Sequence, residues 1–265
     1  MIPAWARRLL RPILGGPDDS LQRKIYRAYR RGAAASRNRP VDYPRLPRRF
    51  GRHLPERVVE LLLARLSYAP GNRVLDVGHA NIMQCHRRLL LSLPGPRHLT
   101  GIDIADPGYD TRPLYERSIK ADITNTGLPE GSFDLIWCIS TLEHVGMDNS
   151  GYTATFATGT HMAAQALREM VRLAAPGGHV LITVPYGKFE DHGWLMNIDR
   201  ERWQALLAVV RPYAAVHESY FSHSPKTGWS RAEPDALGTV GYYDQQNAGA
   251  AAIAVAYMTK LGQRP

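Results

Sequence analysis

Three acidic residues stand at or near the ends of short apolar runs: Asp76 in RVLDVG, Asp103 in HLTGIDIA and Asp122 in SIKADI. If those runs are strands of an open α/β sheet, ligands bind outside the strand carboxyl ends, where neighbouring ends adjoin. The three carboxylates would then line one crevice as hydrogen-bond acceptors. The stretch VLDVGHANIM, residues 74–83, has the outline of a nucleotide-binding turn stripped of its glycines. Gly78 is kept, but Ala80 and Ile82 stand where a glycine-rich loop would continue. A dinucleotide fingerprint would need glycine at Ala80 and Met83, which disfavours NAD.

The elements that must position these acids are legible from periodicity. PERVVELLLARL reads as an amphipathic helix, RVLDVG as a buried strand, and NIMQCHRRLLLSL as a helix stopped by Pro94 and Gly95. HLTGIDIA, SIKADI and FDLIWCIS read as the next three strands, the last with the unbroken apolar run of a strand covered on both faces. Leu167, Met170, Val171 and Ala174 recur at helical spacing before a turn at Pro176, Gly177 and Gly178, and VLITVP follows as the fifth strand. A helix over DRERWQALLAVV and strands over AAVHESYFS and AAIAVAYMT complete the pattern. The expected fold is α/β: a doubly wound, mostly parallel, seven-stranded Rossmann-like sheet. Pro225 to Gly249 is a long connection rich in Gly, Pro and aromatics, a length that often carries function.

Charge divides the chain. Residues 1–52 hold 14 Lys and Arg against 3 Asp, a local +11 within an overall +9, so the other 213 positions carry about −2. We expect a basic, partly helical N-terminal arm over 1–52 and a single domain over 53–265. Within the arm, Ile2, Trp5, Leu9 and Ile13 can share one helical face with arginines opposite, a pattern that suits peripheral contact with an anionic membrane. The same arm could pack on its own domain or on a twin subunit in a homo-oligomer, or contact nucleic acid. No apolar run spans a bilayer, and Arg7, Arg8 and Arg11 interrupt any secretory core, so a cytoplasmic location, with or without membrane association, is expected. Cys85 and Cys138 lie in apolar stretches, without metal or disulfide spacing.

Over about residues 56–260 the chain resembles the class I S-adenosylmethionine-dependent methyltransferases. The resemblance is carried by VLDVGHANI, LTGIDIA, KADITNTGLPEGSFDLIWCISTLEHVG and LREMVRLAAPGGHVLITVP. LEHVGMDNSGY and VPYGKFEDHGW are similar to bacterial enzymes that tailor glycans or other small molecules. The resemblance implies S-adenosyl-L-methionine as cofactor. Asp76, Gly78 and His79 would shape the first loop near its amino acid end, and Asp103, with Ile104 beside it, would accept both ribose hydroxyls. Asp122 and Ile123 would meet adenine, and Ser140 and Thr141 the methionine moiety. This cofactor has no pyrophosphate, so the loss of glycine at Ala80 and Ile82 is survivable.

The sulfonium already activates the methyl group, so the protein must chiefly align the acceptor and exclude water. A hydroxyl acceptor would still benefit from a base. In KFEDHGW, Glu190, Asp191 and His192 adjoin Trp194, and His192 is the expected catalytic base. His144, Tyr152, His161, Tyr186 and Trp194 are the expected contacts of a small-molecule or saccharide acceptor, and Tyr242 and Tyr243 could add aromatic walls. No metal is expected, because the spacing of His161, Asp191 and His192 fixes no coordination geometry. Two rivals stay open. One is nucleic-acid methylation, disfavoured because the fourth strand ends in ISTLEH and not in the Asn/Asp-Pro-Pro-aromatic turn of amino-methylating DNA enzymes. The other is a noncatalytic scaffold of this fold recruited by its basic arm.

Overall fold

The computed structural model describes residues 19–36, 44–244 and 249–262. The apolar face of Ile2, Trp5, Leu9 and Ile13 lies outside the described residues. One eight-stranded sheet organises the chain, in the order β3-β2-β1-β4-β5-β10-β8-β9. Its parallel half is β1 (Arg73–Val77), β2 (His98–Asp103), β3 (Arg117–Lys120), β4 (Phe133–Ile139) and β5 (Ala174–Pro185). The order reverses at β1 and β4, which creates the crevice where open sheets of this kind bind ligands. β8 (Ala214–Ser224), β9 (Gly228–Arg231) and β10 (Ala252–Lys260) pair antiparallel on the far side. A short hairpin of β6 (Glu190–Asp191) and β7 (Met196–Asn197) stands apart from the sheet.

The seven expected strands are present, and β9 is the eighth. It hides in the Gly- and Pro-rich connection because its strand is only GWSR, begun at Gly228 with φ +74°. Pro176–Gly178, expected as a turn, lies instead as an irregularity inside β5, with Gly177 at φ +73°. It interrupts the pairing of β5 with β4, where the register passes from Phe133–Ala174 to Leu135–His179.

Helices cover both faces: α1 (Asp19–Ala35), α2 (Arg57–Ser67), α3 (Gln84–Leu91), α4 (Met162–Leu173) and α5 (Arg200–Ala208). α2 is buried almost from end to end, Val58 to Ala64, because it lies between the sheet and α1. The stretch includes Glu60, a fully buried carboxylate that must be paired. α1 belongs to the basic segment but does not stand apart from the domain. Gln22, Ile25, Tyr29 and Gly32 recur along its buried face, Ile25 and Tyr29 join the core cluster of Phe50, Val58 and Leu62, and Gln22 Oε1 accepts the Cys85 amide at 3.0 Å. Arg23, Lys24, Arg27, Arg30 and Arg31 stay on its exposed face. No described helix is long and apolar enough to cross a membrane.

β9 also fixes the entrance to α2. The Trp229 amide donates to Phe50 O at 2.7 Å and its indole Nε1 to Leu54 O at 2.9 Å. Glu56 and Arg57 are thereby held at the mouth of the crevice.

Candidate functional site

The carboxyl ends of β1 to β4 open on a cleft of about 210 Å³ that runs from Asp122 and Ile123 to Tyr152, Trp194 and Tyr242. Its floor near β1 answers the question of the missing glycines. Gly78 is left-handed, φ +88°, and a Cβ there would collide with the Thr141 side chain. The neighbouring strand end therefore requires glycine at this position whatever ligand binds. After it, His79–Asn81 form a single 3-10 turn. His79 turns inward, 1% exposed, into the space that Gly101 leaves by lacking a side chain, and its Nε2 lies 2.7 Å from Ser118 Oγ. Tyr109 donates to the His79 carbonyl at 2.7 Å, and the Ala80 amide donates to Asp103 at 2.9 Å. The turn that a glycine-rich loop would make with bare backbone is here braced by side chains, and Ile82 and Met83 form part of the cleft wall.

Asp103, at the end of β2, accepts the Ala80 amide on Oδ2 and the Ala105 amide on Oδ1, both at 2.9 Å. Each oxygen keeps a lone pair, and burial raises the carboxyl above its ordinary value against the lowering by those two amides. Asp122 Oδ1 accepts the Thr124 amide and hydroxyl at 2.8 Å, which leaves Oδ2 for a ligand. Ile104 and Ile123 supply apolar surface beside these acids.

At the other end, β4 finishes at Ser140, whose backbone is left-handed at φ +42° and whose hydroxyl donates to Glu60 at 2.6 Å. Glu60 also takes the Thr183 hydroxyl at 2.8 Å and the Arg57 guanidinium at 2.9 Å, so its burial is satisfied. His144 donates Nδ1–H to the Trp194 carbonyl at 2.7 Å, which fixes the tautomer with a lone pair on Nε2. Burial lowers this imidazole to about 4, so it is neutral at neutral pH. The Trp194 ring lies 5.1 Å from it and the Tyr152 ring 6.2 Å. Glu143 is 2% exposed, raised to about 8 by burial, with Oε1 3.9 Å from His144 Nε2.

The cleft brings together Gly78, Asp103, Ile104, Asp122, Ile123, Ser140, Thr141, His144, Tyr152 and Trp194. Five other expected residues lie outside its lining. Asp76 is 1% exposed beneath the first turn, where Tyr115 donates to it at 2.6 Å and His86 Nε2 approaches at 3.2 Å. His79 points inward, as described. Tyr186 is buried against Tyr220, centroids 4.9 Å apart, and His161 is exposed ahead of α4. His192 sits behind the cleft wall, its ring 5.5 Å from those of Tyr242 and Tyr243 and its Nε2 3.4 Å from Glu190. The β6–β7 hairpin carries Trp194 to the cleft and leaves His192 outside it. Sequence reasoning passed over Glu56, Arg57, Glu143, Asn149 and Phe156, all of which line the cleft. The first two open α2 and have no local signature of a site. Glu143 adjoins His144 in LEHV and could have been read with it.

Among the described residues no three His, Cys, Asp or Glu side chains converge as metal ligands would. The lining does fit an adenosyl sulfonium. It has an acceptor at the end of β2, an acid and an isoleucine after β3, and a first turn that leaves the space open.

Comparison with known proteins agrees. A family model described as a methyltransferase domain matches residues 84–182, from α3 to within β5, beginning just after the altered turn. No curated protein matches the chain in sequence. Among solved structures, the Burkholderia thailandensis 1,6-didemethyltoxoflavin-N1-methyltransferase, crystallised with 1,6-didemethyltoxoflavin and S-adenosylhomocysteine, superposes with a TM-score of 0.50 at 14% identity, over 94% of this chain and 92% of its own. The N-methyltransferase NodS of Bradyrhizobium japonicum WM9, in complex with S-adenosylhomocysteine, gives 0.47 at 16% identity, over 89% and 98%. The first of these shares the fold, and the methyltransferase activity is that of the matched domain. The chain carries a methyltransferase domain over residues 84–182, with S-adenosylmethionine as its cofactor.

Proposed function

We propose that this chain methylates a hydroxyl of a small molecule or saccharide that enters the cleft beside His144, Tyr152 and Trp194. The observation that carries the reading is His144, a neutral imidazole in the cleft lining whose Nδ1–H is fixed on the Trp194 carbonyl and whose Nε2 lone pair is free. In this reading Asp103 accepts the ribose hydroxyls, Asp122 the adenine amine, and Ile104 and Ile123 cover the adenine ring. Gly78, Ser140 and Thr141 border the methionine moiety. When bound, the cofactor supplies a methyl group already activated by its sulfonium. His144 orients the acceptor hydroxyl and takes its proton on Nε2 as the oxygen attacks, and the aromatic walls exclude water. Asp76 and His79 brace the first turn from below. His192 supports Tyr242 from behind, and the role of base passes to His144.

Calorimetry with S-adenosylhomocysteine, followed by mass spectrometry of extracts incubated with enzyme and deuteromethyl-labelled cofactor, tests this. A labelled product is expected, and H144Q should depress its formation about 10²-fold or more while cofactor affinity holds. Full activity in H144Q with loss in H192A would return the base to His192. No cofactor binding at all would favour the noncatalytic scaffold.

A further inference from the structure

Two carboxylates in the cleft lining have no use in the mechanism above. Glu56 is 7% exposed and Glu143 2%, and the Oε2 of each is buried without a hydrogen-bond partner. The counter-charge that reaches both, Arg57, is shared. The Arg57 guanidinium is engaged with Glu60 and with the Ile139 carbonyl at 3.4 Å, and Glu60 is itself saturated by three donors. Three buried acids thus share one guanidinium, and two acids present a free oxygen in the same cleft. Burying an unsatisfied carboxylate is costly, whether it is ionised or holds its proton. The cost makes sense if a ligand donor completes the site.

The geometry points to an acceptor that carries a protonated amino group, held by the free oxygens of Glu56 and Glu143 next to the hydroxyl that faces His144. This inference rests on the methyl-transfer reading and adds the acceptor's charge. An ammonium group has three donors and one positive charge, enough to satisfy both oxygens. The surrounding wall is aromatic, with Tyr152, Phe156, Trp194 and Tyr242, and suits a desolvated cation as well as the ring or carbon skeleton behind it. Glu143 Oε1 lies 3.9 Å from His144 Nε2, so the carboxylate that holds the amine adjoins the imidazole that faces the hydroxyl, which favours a hydroxyl close to the amine. Burial and the neighbouring acids raise Glu143 to about 8 and Glu56 to about 7. An arriving ammonium therefore drives a proton off the carboxyl into the buffer, and a neutral ligand does not.

Calorimetry near neutral pH on the full chain saturated with S-adenosylhomocysteine, in two buffers of different ionisation enthalpy, tests the anchor with matched probes: D-glucosamine against D-glucose, and 2-phenylethylamine against 2-phenylethanol. In at least one pair the amine should bind about tenfold tighter or more, with proton release, and E56Q and E143Q should each remove most of that advantage. Thermal melts confirm that both variants are folded. The inference is overturned if neither amine outbinds its neutral twin, or if the advantage survives both substitutions. Failure of S-adenosylhomocysteine to bind would strike the methyl-transfer reading, and the amine titration repeated without it would still decide the anchor.

Discussion

Replacing Asp103 separates a ligand-binding acid from one that merely props a turn. Its two oxygens accept the Ala80 and Ala105 amides at 2.9 Å, so D103A removes both a ribose acceptor and a brace of the first turn. A hydrogen bond to a charged group contributes about 1.5–3 kcal/mol, so S-adenosylhomocysteine should bind D103A about 10- to 150-fold more weakly. D103N is not a silent control, because its new amide would face one of the two backbone donors. The discriminating ligand is a 2′,3′-dideoxyribose analogue. Wild type should prefer S-adenosylhomocysteine over the analogue by that same factor, and D103A should show almost no preference, a coupling that titration calorimetry reads directly. If D103A weakens both ligands equally, the carboxylate only supports the turn and the ribose assignment fails.

Gly78 is constrained by a left-handed backbone and by Thr141. G78A should lower stability by about 2 kcal/mol or more, and T141A should restore the part due to the clash but not the part due to φ; unchanged melting of G78A would refute both constraints. Burial lifts Glu143 to about 8 from 4.5, so between those values the folded chain holds a proton that the unfolded chain releases, and stability falls as pH rises through that window. E143Q should gain on wild type in chemical denaturation from pH about 5 to pH about 8, and parallel pH profiles would contradict this. Removing residues 1–36 takes away Ile25 and Tyr29 from the core and should cost several kcal/mol, about what truncating buried Ile and aromatic side chains costs. Removing 1–18 alone tests the membrane contact expected of the arm: loss of binding to anionic vesicles would locate it there, and unchanged binding would count against it.

The strand pattern was readable because β1, β4 and β10 are continuous apolar runs, and Asp103 and Asp122 were readable as cleft residues because each closes or follows an expected strand. The acceptor end was harder. Glu56 and Glu143 are 87 positions apart in sequence and meet only because β9 pins the approach to α2, a contact with no local pattern. His192 looked apt beside Glu190 and Trp194, but it lies in the turn between β6 and β7, where Gly193 at φ +81° stands between it and Trp194 and parts the two side chains. Packing of the arm on its own domain was among the alternatives, but α1 was not singled out as the packing helix because its buried face is one narrow stripe through an Arg- and Ala-rich segment.

The side-chain bracing of the first turn bears on how fast and how tightly a nucleoside is captured. Tyr109, Ser118 and Asp103 hold the turn through contacts made within the chain itself, so its ordering entropy is spent during folding and not upon association. Capture can then proceed as docking onto a ready surface, and loosening Tyr109 should show itself first as slower arrival of the nucleoside.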